Sequence, residues 1–153
     1  MGQASATTQA AAPVFLRSTT GERILQAAVA TGLAAAIGLG LVLAPSPAGT
    51  GTHTQLGLPP CGLLVATGHP CPTCGVTTSF VLAAHGRFHD ALVNQPFGLL
   101  VFLLMAAGLA TALATLVMGR SWLPHVTPYR VLALVLALMA LGAASWAYKW
   151  MTM

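Results

Sequence analysis

The chain has 153 residues, 56% of them hydrophobic and only 5% charged, where an ordinary soluble domain is roughly a quarter charged. Six Lys/Arg and two Asp/Glu are too few to solvate a compact water-soluble protein of this length, so much of the surface must face lipid. The same figures exclude a disordered chain, which needs low hydrophobicity, and a nucleic-acid binder, which needs basic residues clustered on one face; the net charge of +4 is thinly spread.

Residues 1–23 are expected to be a disordered polar tail, since MGQASATTQAAAP has no apolar period. N-myristoylation is discarded because Ala6 stands where that motif needs Ser or Thr. Residues 24–153 read as a single membrane domain. Ile24 to Ala44 is 21 residues without a charge, long enough to cross a hydrocarbon core of about 30 Å. It is also longer than the apolar core of a cleaved signal peptide. Ala28, Gly32, Ala36, Gly40 and Ala44 recur at every fourth position. This small-residue seam is where a membrane-protein partner or a second copy could approach.

Residues 45–95 form a polar, Pro/Gly-rich connection. Phe97 to Met118 follows Pro96 as a second span, and Val131 to Tyr148 is a third. The third is bounded by Tyr129 and Arg130 at one end and by Trp146, Tyr148, Lys149 and Trp150 at the other, the usual interfacial anchors. The short 119–128 connection, with Pro124 and Pro128, predicts that the second and third spans are antiparallel neighbours. Arg17, Arg23, Arg120 and Arg130 then share one side, against Arg87 and Lys149 on the other. The positive-inside rule therefore favours a cytoplasmic N-terminus, with 45–95 on the outer face.

The reactive residues concentrate in 45–95: Cys61, Cys71, Cys74, His53, His69, His85, His89 and Asp90. From Cys71 onward, Val76, Phe80, Ala83/Ala84 and Phe88 fall near helical spacing. This predicts a short amphipathic or re-entrant helix with Pro72 in its first turn and Thr77, Thr78 and Ser79 on its polar side. Three readings of Cys71-Pro72-Thr73-Cys74 compete. One is a redox pair, because two intervening residues permit a disulfide and a helix start favours the thiolate. A second is a metal site using Cys71, Cys74, His85 and His89, with zinc as the candidate ion, or His69 with the three cysteines. On one straight helix the Cys74 and His85 ends would be about 16 Å apart, so that site needs a break or a partner chain. The third is a structural staple that needs no cofactor. A c-type haem attachment is excluded because Gly75, not His, follows Cys74.

The run Cys71-Pro72-Thr73-Cys74-Gly75-Val76-Thr77, then Gly86, Ala91-Leu92 and Pro96 opening an apolar span, resembles the bacterial membrane family called domain of unknown function 2752. Cys61 and Gly68 resemble its upstream cysteine and glycine. The resemblance covers about residues 58–145. It implies a bacterial inner-membrane location and a role for Cys71, Pro72, Cys74, Gly75 and Thr77. It implies no activity, because the family has none established. Thr78 stands in place of the family's usual arginine and Gln95 in place of its asparagine, with Asn94 one place earlier.

His53 and His125 read as solvated loop residues, and Met105, Met118, Met139, Met151 and Met153 as packing or lipid-facing ones. There is no GxGxxG, no P-loop and no carboxylate pair, since Asp90 and Glu22 fall on opposite sides. The sequence thus predicts an all-α integral membrane protein with three transmembrane helices and a short amphipathic helix. Its first functional reading is a non-enzymatic accessory or structural subunit, and its alternative a thiol redox or metal-binding protein.

Overall fold

A computed structural model describes residues 18–119 and 128–152, all of whose regular elements are helical. Most of the expected tail, and the 120–127 stretch with Arg120, Pro124 and His125, lie outside these residues. Three helices are long and apolar enough to cross a membrane: α1 (Thr20–Val42), α5 (Pro96–Met118) and α6 (Pro128–Thr152). Their outer surfaces are apolar: Val42 is 83% and Val117 87% exposed.

α1 begins four residues before the expected span because Thr19 and Glu22 form a capping box. Thr19 N donates to Glu22 Oε2 at 2.8 Å, and Glu22 N donates to Thr19 Oγ1 at 3.3 Å. The box satisfies two amides that would otherwise be unpaired at the helix start. α5 opens on Pro96 as expected, because proline there has no amide hydrogen to leave unpaired. α6 is longer than expected at both ends, from Pro128 to Thr152.

The long antiparallel partner of α5 is α1 rather than α6. Ser18 N donates to Gly119 O at 3.3 Å, and Leu33 Cδ1 lies where a side chain on Gly108 would point. The expected contact between the second and third spans is confined to one end. There Phe97 N donates to Ser145 Oγ at 3.0 Å and the Phe97 ring faces Gly142.

In place of a single amphipathic helix, the 45–95 segment holds a 3₁₀ turn (Thr52–Leu56) and three short helices: α2 (Gly62–Thr67), α3 (Val76–Ala84) and α4 (Phe88–Asn94). Gly86 sets the break between α3 and α4. At φ +76° it lets its own amide reach Ala83 O and the Arg87 amide reach Leu82 O, a Schellman closure that ends the helix. α3 is wedged between the loop-side ends of α1 and α5. Gly40 of α1 leaves room for Phe80, and Gly98 of α5 lets the α3 backbone approach at Val76. Leu82, Ala83 and Ala91 form the buried core with Leu99 and Phe102 packed against them. Thr78 and Ser79, expected on a polar outer side, are instead buried. Each is hydrogen-bonded: Thr78 Oγ1 lies 2.8 Å from Thr52 Oγ1, and Asn94 Nδ2 donates to Ser79 Oγ at 2.9 Å.

Candidate functional site

Gly75 is the N-cap of α3 at φ +86°, so the helix starts one residue after the motif and not at Pro72. Cys71 to Cys74 therefore form a turn, closed by Cys74 N donating to Cys71 O at 3.0 Å. Cys61 sits at the N-cap of α2. The fold brings the three sulfurs within 4.8 Å of one another. All three are free thiols, with Cys71 Sγ 3.2 Å from Cys74 Sγ and 3.3 Å from Thr73 Oγ1. They open on a cavity of about 640 Å³, also lined by His53, Thr77 and Thr78. Pro72 is exposed on the turn.

The two motif cysteines are driven in opposite directions. Burial pushes the Cys71 thiol up, but hydrogen bonds with Thr73, Cys74 and Cys61 together outweigh it and hold the pKa at about 7. Burial of Cys74, reinforced by hydrogen bonds with Cys71 and Cys61, pushes its thiol up to about 12. Chemically, such an arrangement can set a thiolate beside a protonated thiol.

The histidines proposed as ligands do not join the sulfurs. The Gly86 break puts His85 and His89 on different elements, not one helical face. His85 Nδ1 is paired with Val81 O at 2.9 Å, and His89 Nδ1 lies 3.6 Å from Asp90 Oδ1. His69 stacks on Trp150 with ring centroids 4.5 Å apart. A metal at this site would be held by Cys61, Cys71 and Cys74.

A second set of residues positions the turn. Pro70 O accepts from Trp146 Nε1 at 2.9 Å and from Trp150 Nε1 at 3.2 Å. Asn94 Nδ2 donates to Gly75 O at 3.2 Å, and Asn94 Oδ1 accepts from Lys149 Nζ at 2.9 Å. Residues 61–109 match the family model described as Protein of unknown function (DUF2752). The DUF2752 match spans the cysteine cluster, α2 to α4 and more than half of α5, and agrees with the expected family over a shorter stretch than residues 58–145. No curated protein matches the chain, and no solved structure does. The two residues that depart from what the resemblance implies, Thr78 and Gln95, both lie in the interior. Thr78 is 1% exposed and bonded to Thr52, while Gln95 is fully buried with neither amide atom hydrogen-bonded. Asn94, not Gln95, reaches the motif.

Sequence reasoning missed four contributors. His53 lines the sulfur cavity, and no local spacing announces it. The indoles of Trp146 and Trp150 and the ammonium of Lys149 read as interfacial anchors, which they also resemble. Their contacts with Pro70 and Asn94 depend on α6 returning to the loop, which periodicity does not encode.

Proposed function

We propose that the chain is an integral membrane protein that presents a thiol–disulfide exchange site, Cys71 and Cys74, at one membrane face. The observation that carries this reading is geometric: two free thiols with sulfurs 3.2 Å apart, Cys71 half-buried and Cys74 buried, open on a cavity of about 640 Å³ that a thiol substrate can enter. The lowering of the Cys71 thiol by its hydrogen bonds agrees with that arrangement. The three long apolar helices support the membrane placement. Arg23 near the start of α1 and Arg130 near the start of α6 lie at the helix ends away from the cysteine turn. With Arg17 and Arg120, which adjoin those ends in the sequence, they make four cations against Arg87 and Lys149 on the cysteine side, and the positive-inside rule therefore supports a cytoplasmic N-terminus and an outer-face cluster. The resemblance to DUF2752 implies a bacterial cell membrane, which is part of this proposal.

The Cys71 thiolate attacks a substrate disulfide R–S–S–R′, forming the mixed disulfide Cys71–S–S–R and releasing R′–S⁻, which takes up a proton. Cys74 then loses its proton and attacks Cys71 Sγ, releasing R–S⁻, which is protonated in turn. Two electrons and two protons pass from the dithiol to the substrate, and the reverse sequence oxidises a substrate dithiol. The test uses 5,5′-dithiobis(2-nitrobenzoate) on purified protein. Cys74→Ser should accumulate a stable mixed disulfide at residue 71, and Cys71→Ser should react far more slowly. Equal slow labelling of all three cysteines would return the motif to the staple of an accessory subunit.

One observation favours a second reading. Cys61 places a third sulfur within 4.8 Å of the pair. Three thiolates near 3.8 Å from one another fit a tetrahedral zinc site with one position open. Ala28 and Gly32 remain exposed on α1, so that part of the small-residue seam supports a helix partner or a second copy. The Gly40 end is covered by Phe80.

A further inference from the structure

Lys149 is only 5% exposed. Its ammonium has one hydrogen-bond partner among the described residues, the neutral Asn94 Oδ1 at 2.9 Å, and forms no salt bridge there. A buried cation with two donors unused and no counter-charge is costly, and its surroundings ordinarily supply an anion. Lys149 and Asn94 line a cavity of about 650 Å³, separate from the sulfur cavity, together with Ser46, Arg87, Asp90 and Tyr148. Arg87 uses Nε to hold Asp90 Oδ2 at 2.7 Å and keeps the Asp90 carboxyl below its ordinary range. Among the described residues, the one acid on the cavity wall is thereby paired, and no other hydrogen bond of Arg87's side chain occupies its two terminal nitrogens. Their planar fork suits phosphate oxygens, which Lys149 can meet as a point charge. Trp146, Tyr148 and Trp150 on the same stretch of α6 are residues that settle at the headgroup level of a bilayer, where phosphate is the abundant anion.

We infer that the cavity between Lys149 and Arg87 is a phosphate-binding site, filled by a lipid headgroup or by a free phosphate. The lipid source rests on the membrane reading above, whereas the free-phosphate source does not. Both are tested on the full chain in detergent by thermal unfolding. Phosphatidylglycerol is compared with phosphate-free diacylglycerol, and inorganic phosphate with chloride at equal ionic strength.

A lipid site predicts that phosphatidylglycerol alone raises the Tm; a free-phosphate site predicts that inorganic phosphate does so. Lys149→Met should weaken the effective ligand about ten- to hundredfold, the loss expected for one charge-assisted hydrogen bond. Should Lys149→Met fail to fold, Arg87→Gln, changed at the exposed rim, should weaken the same ligand severalfold. No stabilisation by either anion, an equal response to diacylglycerol, or unchanged affinity in Arg87→Gln overturns the assignment. Loss of thiol exchange with phosphate binding intact would refute the dithiol reading and leave this one standing.

Discussion

Gly98→Ala tests whether α3 rests directly on the α5 backbone. A methyl group there would lie 2.5 Å from Val76 O, 2.7 Å from Ser79 Cβ and 3.1 Å from Val76 Cα, against an ordinary contact of roughly 3.5–4.0 Å. Two of the three atoms are backbone and cannot rotate away, so α3 must recede by about 1 Å. Overpacking of this kind costs about 1–3 kcal/mol, and the rigidity of the neighbours puts this site near the top. Alanine regains about 0.5–1 kcal/mol over glycine in a helix, leaving a net loss of about 2 kcal/mol. For a chain of this size that is a fall in Tm of roughly 4–8 °C. The assay is thermal unfolding by circular dichroism in one detergent, beside Gly38→Ala. Nothing lies within 4 Å of a side chain at Gly38, so that variant should match or exceed the parent by up to about 1 kcal/mol. If Gly98→Ala melts with Gly38→Ala, the wedge described for α3 is wrong.

The thiols make a pH prediction. The thiolate is the reacting form, so alkylation of Cys71 by iodoacetamide should rise with pH, reach half its maximum at about 7 and then level off, while Cys74 stays protonated up to about 12. Thr73→Val removes a hydrogen bond that holds Cys71 down, so the midpoint of that profile should move to higher pH. Thr78→Val should cost about 1–3 kcal/mol in denaturation, because the buried Thr52 hydroxyl loses the Thr78 hydroxyl at 2.8 Å and keeps only the Ser46 amide at 3.1 Å. Ser145→Ala should cost a similar amount of roughly 1–3 kcal/mol by orphaning the Phe97 amide. That variant should also loosen α6 from α5, read out as faster proteolysis at the end of α6.

The three long helices were legible because uninterrupted apolar runs need no tertiary information. The start of α1 was also written locally, in Thr19 and Glu22, and the capping-box spacing would have placed it. The 45–95 segment resisted for a different reason. Its apolar period continues past His85 as though one helix ran through, but Gly86 can take a left-handed conformation that ends it, and the period cannot register that. Thr78 and Ser79 look like a solvated stripe until Thr52 and Asn94, far away in the chain, satisfy them. The cysteines were recognisable as a motif, but the arrival of Cys61 beside the pair and the absence of His85 and His89 from it are products of the turns between the helices. Lys149 shows the same limit: its position beside Trp146 and Trp150 suggests an anchor, and only the packing of α6 on Asn94 reveals a buried charge.

The most direct test of the central claim is a redox titration of the full-length protein in defined glutathione buffers, quenched with acid, alkylated and mapped by mass spectrometry. A thiol-exchange site predicts a single reversible two-electron transition that links Cys71 to Cys74, with a midpoint between about −120 and −300 mV. A Cys71–Cys74 disulfide that glutathione cannot reduce, or thiols that never pair across the whole range, would contradict it.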